Sequence, residues 1–148
     1  MDTGEDLPDT IEWSKFSGAA WLPDGSGFFY SRYDAPKEGD EFQSANYFHK
    51  LYFHKRSTPQ SADELIYERP DEKEWGFGAI VSDDGRYLVI HVWQGTDIRN
   101  RIFYRDLRQQ GAGMIELIRE REASYMFLGN DESVFYFRTD LEAPRGKV

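Results

Sequence analysis

Residues 78–93 read GAIVSDDGRYLVIHVW, and this stretch sets the fold class. Small and apolar residues lead into Ser82-Asp83-Asp84-Gly85, and a second apolar run, rich in β-branched and aromatic side chains, leads out. Asp-Gly supplies the positive φ that a tight hairpin demands, so two antiparallel strands are expected, over 78–81 and 86–93. Residues 18–33, GAAWLPDGSGFFYSRY, and 124–138, SYMFLGNDESVFYFR, have the same shape, with turns at Pro23-Asp24-Gly25 and Asn130-Asp131-Glu132. The aspartates of these turns, Asp24, Asp83, Asp84 and Asp131, are therefore read as turn formers.

Working outward, each hairpin is followed by further short period-2 runs and by no amphipathic helix of any length. Runs at 47–55 and 64–68 complete a first group of four strands, and runs at 101–106 and 114–118 complete a second. In HKLYFHKR, Leu51 and Phe53 share one face while Tyr52 and His54 share the other, as a sheet packed on both sides requires. Weak self-similarity at roughly 50 to 60 residues, with four meandering strands per unit, is the signature of propeller blades. The expected fold is all-β, built of antiparallel four-stranded blades, about three in number. Blades fall over 16–70 and 71–121, and 122–148 reads as an incomplete blade. A β-sandwich is the structural alternative, since it also accommodates this many short strands.

Composition supports an all-β chain: 16% of the residues are aromatic, and they cluster in the strand runs. The formal net charge of -9 is interspersed along the 148 residues, which argues against a nucleic-acid footprint. With no cysteine, a disulfide framework, a Cys-type zinc site and a thiol nucleophile are excluded. The polar start MDTGEDLPDT has no signal-peptide character and no apolar run is long enough for a membrane helix, so the chain is expected to be soluble, cytoplasmic or periplasmic.

Catalytic chemistry is not expected within these residues. A serine hydrolase needs its nucleophile on a strained elbow, Gly-x-Ser-x-Gly, and a histidine to take its proton. Ser26 lacks glycine two residues to either side and sits in a hairpin turn. His49, His54 and His91 fall on strands with no paired carboxylate or metal-ligand spacing visible in sequence, and Glu72 and Glu74 read as solvated charges beside Pro70. No metal and no cofactor is expected.

The stretches KFSGAAWLPDGSGFFYSRYD, YFHKLYFHK, PDEKEWGFGAIVSDDGRYLVI, GTDIRNRIFYRDL and YFRTDLEAPRG, in that order, resemble the propeller domain of the prolyl oligopeptidase family over residues 7 to 148. The resemblance implies part of a seven-bladed propeller capping an α/β-hydrolase catalytic domain of the same parent chain, with residues 1–15 as the end of a preceding blade whose last strand lies near 10–15. Such a parent is a serine peptidase that cleaves short proline-containing peptides after proline. It further implies that Phe16 lines a pocket for the substrate side chain upstream of proline, with Gly76, Thr96 and Trp93 at neighbouring pocket positions. Gly76 and Thr96 are smaller or more polar than the residues commonly found there, and Trp93 stands where an arginine is frequent. Packing within the blade core is the competing role for Phe16 and Trp93. A free-standing β-rich module that binds peptide or carbohydrate is the rival function. Three open blades would also leave aromatic-rich faces uncovered, so self-association is expected of the chain alone.

Overall fold

The computed structural model describes residues 9–35, 46–143 and 145–148. Ten strands fall into three antiparallel sheets in which sequence order is also spatial order. The first sheet contains β1 (Ala20–Trp21), β2 (Gly27–Arg32), β3 (Lys50–Lys55) and β4 (Glu64–Glu68), and the second contains β5 (Trp75–Val81), β6 (Tyr87–Gln94), β7 (Arg101–Asp106) and β8 (Ile115–Ile118). A two-stranded sheet of β9 (Tyr125–Asp131) and β10 (Val134–Thr139) follows. Among the described residues the one helical segment is a single 3-10 turn, Gln60–Ala62.

The hairpins form for the reasons their sequences suggest. Gly25 and Gly85 both adopt φ of 68°, and the N–H of each closes its turn onto Leu22 and Ser82 respectively. Asp24 Oδ1 accepts the N–H of Ser26, and Asp84 Oδ1 accepts both the Arg86 N–H and the Ser82 hydroxyl. These bonds stabilise the ionised carboxylate and hold Asp84 down to about 2. The third hairpin closes differently, with Glu132 rather than glycine at positive φ.

Burial explains the near-continuous apolar run of β6. Leu88, Ile90 and Val92 point into a core shared with the first sheet, including Phe29, Leu51, Trp75 and Phe77. The alternating residues Tyr87 and Val89 enter a second core with Ile102 of β7 and with Tyr125 and Phe127 of the third sheet. A strand covered on both faces has no reason to alternate polar and apolar residues. β3 behaves as expected, with Leu51 in the first core and His54 on the far face beside Phe28.

Several boundaries depart from expectation. β5 begins at Trp75, three residues early, because Trp75, Gly76 and Phe77 pair with Gln94, Trp93 and Val92. β1 is only two residues long, and residues 10–15 form no strand. That segment is instead held at separate points, through Glu12 to the Gln60 side chain and through the Trp13 carbonyl to Tyr33 N–H. Residues 47–49 do not join β3, since Phe48 has φ of 60° and gives its N–H to Lys73. The expected division at 1–15 falls partly outside the described residues.

Candidate functional site

The internal repeat has a defined register. Gly27 lies opposite Lys55 in the first sheet and Tyr87 lies opposite Asp106 in the second. Counting back six residues from Lys55 and from Asp106 makes His49 and Asn100 equivalent. Both are buried, and both reach into the first strand of the following sheet. Asn100 Oδ1 accepts the Tyr125 N–H at 2.7 Å, and its Nδ2 donates to the Tyr125 carbonyl at 2.8 Å. His49 Nδ1 accepts the Phe77 N–H at 3.0 Å, while the Phe77 carbonyl accepts the Ser31 hydroxyl at 2.7 Å. In each case one residue of a first strand that pairs with a neighbour on one side only, Phe77 or Tyr125, has its outward N–H and C=O satisfied by side chains of the preceding sheet.

His49 makes one bond that Asn100 does not. Its Nε2–H donates to the Lys15 carbonyl at 3.2 Å, so a neutral imidazole with its proton on Nε2 bridges two backbone segments. The ring is 1% exposed, and burial pushes it down to about 4, which keeps it neutral. It packs against Tyr33 at 4.5 Å and Trp93 at 5.7 Å between ring centroids.

Three of the four residues singled out from sequence gather around this histidine. Phe16 follows Lys15, is 68% exposed and holds φ of 56°, a left-handed conformation that costs a bulky residue energy and marks functional or strained positions. Gly76 precedes Phe77 and pairs directly with Trp93, whose indole lies over it so closely that a Cβ on Gly76 would collide with the ring. Phe16 is thus an exposed side chain and not core, whereas Trp93 is half-buried against Gly76. Thr96 lies apart, exposed in the loop after β6. That loop is fixed by Asp97, which bonds the Arg99 backbone and guanidinium and pairs with Arg121 at 3.5 Å, so its carboxyl lies far below the usual carboxylate range. A recess of about 140 Å³ opens beside His49 between Phe48, Lys50, Arg69 and Pro70. It is well below the ~300–1,000 Å³ of a complete small-molecule site.

On the far face of the first sheet, His54 corrects the expectation that no histidine has a carboxylate partner. Its Nδ1 lies 2.7 Å from Asp63 Oδ1, the Tyr30 hydroxyl donates to Asp63 Oδ2 at 2.6 Å, and Gln60 donates to the Tyr30 oxygen. Burial and the Asp63 carboxylate together push the Tyr30 phenol well above its ordinary value. The partner sits nine residues away across a 3-10 turn, a spacing that carries no signal in sequence. Among the described residues no serine, threonine or cysteine is bonded to this imidazole, so the His–Asp pair is not completed into a nucleophilic triad there. Ser26 is exposed in its turn, and Glu74 is exposed with only a 3.5 Å contact from Gln94. No group of three or more His, Asp and Glu side chains placed to hold a metal occurs among the described residues.

Stacked antiparallel sheets of four meandering strands are a propeller's parts, and the sequence match settles whose. Residues 1–148 match the family model described as prolyl oligopeptidase, N-terminal beta-propeller domain. The chain belongs to this family. It is 37% identical over 147 residues to the prolyl endopeptidase of Elizabethkingia meningoseptica, covering 99% of this chain and 20% of that protein. Among solved structures it superimposes with a TM-score of 0.83 and 33% identity on one from an analysis of two prolyl endopeptidases, covering 95% of this chain and 20% of the other. Prolyl oligopeptidase B from Galerina marginata, bound to a 35mer hydrolysis and macrocyclization substrate, gives 0.86 and 30% over 95% of this chain and 20% of the other. The chain thus spans about a fifth of the length of the curated relatives it matches. Among the described residues no helix is long and apolar enough to cross a membrane.

Proposed function

We propose that this chain is the propeller segment of a proline-specific serine oligopeptidase, and that it caps the active site of a catalytic domain elsewhere in the same longer chain. The observation that carries this reading is the family match over all 148 residues, with likeness to prolyl endopeptidases in both sequence and fold. Nucleophile, base and oxyanion hole come from the catalytic domain, since no such constellation occurs among the described residues. The propeller's contribution is steric: it admits short peptides and turns away folded proteins. Phe16 and Trp93 line the entrance and contact the substrate side chain upstream of proline, Gly76 seats the Trp93 indole from beneath, and Thr96 borders the entrance from the loop after β6.

The test is cleavage by the full-length chain of two substrates carrying the same proline-containing sequence, one as a short fluorogenic peptide and one within a loop of a folded protein. Cleavage after proline in the peptide alone is expected. Equal cleavage of both would refute the gating role, and no cleavage of either would refute the assignment to a prolyl peptidase.

A further inference from the structure

We propose that His49 is a positioning residue for substrate selectivity: by tying the backbone segment that carries Phe16 to the one that carries Gly76, on which the Trp93 indole rests, it fixes the shape of the surface that meets the substrate side chain upstream of proline. This rests on the entrance-lining role proposed above.

Three observations converge. First, the two ring nitrogens hold segments far apart in sequence, Lys15 immediately before Phe16 and Phe77 immediately after Gly76. Second, the equivalent position in the next repeat shows that joining two blades does not require a histidine, since Asn100 secures both backbone groups of Tyr125. What the imidazole adds is direction: the Nδ1 lone pair and the Nε2–H flank one carbon of a rigid ring but point widely apart, so a ring that accepts from Phe77 also donates to a third segment at Lys15. Third, the backbone it steadies is strained on both sides, with aromatic residues at positive φ at Phe16 and at Phe48, the latter directly preceding His49. Left-handed backbone at bulky residues persists only where neighbouring bonds enforce it. His49 touches no reacting atom in this account and acts through the residues it holds.

His49→Asn separates the two roles. An asparagine there keeps the bond to the Phe77 N–H, as Asn100 does for Tyr125, but cannot also span to Lys15. In the full-length chain we compare two fluorogenic peptides that differ only in having phenylalanine or glycine at the positions upstream of proline. The expected result is a KM raised about tenfold for the phenylalanine peptide, with KM for the glycine peptide and both kcat values within about twofold of the unsubstituted protein. His54→Asn is the control, an equally buried histidine within β3, five residues further along the chain and on the far face of the first sheet, and it should leave the ratio of the two KM values unchanged. An unchanged ratio in His49→Asn, or the same shift in His54→Asn, overturns the positioning role while leaving the peptidase assignment intact. Failure of the unsubstituted chain to cleave either peptide overturns both.

Discussion

Replacing Asn100 by alanine tests how consecutive blades are joined. The side chain is 8% exposed and makes two bonds to a single residue, accepting the Tyr125 N–H and donating to its carbonyl. Truncation leaves two buried backbone groups unpaired, each worth about 1–3 kcal/mol. Water entering the gap recovers part of this, so the start of β9 should open more easily by about 2–4 kcal/mol. Because the Tyr125 amide is protected by Asn100 Oδ1 and not by a neighbouring strand, amide hydrogen exchange reads the bond directly. Its protection in the full-length chain should fall by about 30- to 1,000-fold, while the Phe77 amide, held by His49, stays as it was. Asn100→Asp adds a sign. The carboxylate still accepts the amide but sets a negative oxygen against the Tyr125 carbonyl, so protection should be poor at neutral pH and recover on acidification, when a protonated acid can donate again. Wild-type exchange at Tyr125 in both variants would refute the claim that these side-chain bonds, and not apolar packing alone, fix one blade to the next.

Three further outcomes follow from the same contacts. Gly76→Ala forces the Trp93 indole off β5, which should cost about 1–3 kcal/mol by chemical denaturation and shift the tryptophan emission; an unchanged denaturation curve would show that the ring moves freely. His49 is depressed to about 4 when folded against roughly 6.5 when unfolded, so the unfolded chain binds more protons in that window. Stability is therefore retained above about pH 6.5 and lost progressively down to about pH 4, by up to about 3 kcal/mol. His49→Asn should flatten that acid slope, and an identical slope would exclude His49 as its source, with His91, also depressed by burial, then the remaining candidate. Finally, Met126, Leu128, Val134 and Tyr136 stand about half exposed on one face of the β9–β10 hairpin. The 148-residue chain alone should associate with rising concentration in sedimentation experiments, and Leu128→Lys should suppress it; a monomer at all concentrations would refute this.

Strands and hairpins were legible because their causes are local. Asp-Gly turns, period-2 runs and the doubly buried YLVI of β6 announce themselves within a few residues, and the repeat of that pattern points to blades. The start of β5 was missed because Gly76 and Gly78 weaken a strand signal that Trp93, across the sheet, makes good. Of the candidate site, Phe16, Gly76, Trp93 and Thr96 were named through a family resemblance, and no period or spacing in the chain would have marked them. That Trp93 packs on one histidine and that Phe16 and Gly76 each adjoin a residue bonded to it, while Thr96 stands apart, is a fact of packing.

The amino-acid sequence by itself determined the fold class, the repeat, the absence of a nucleophile elbow and the family. Tertiary structure decided the roles of the histidines. His54 meets Asp63 across a turn, His49 joins Lys15 to Phe77, and Asn100 takes the same place one blade later. These partners lie 9 to 34 residues apart. Which polar side chain reaches which unpaired backbone group depends on how one sheet is stacked on the next, and that geometry is set by the whole core, not by any stretch of chain read alone.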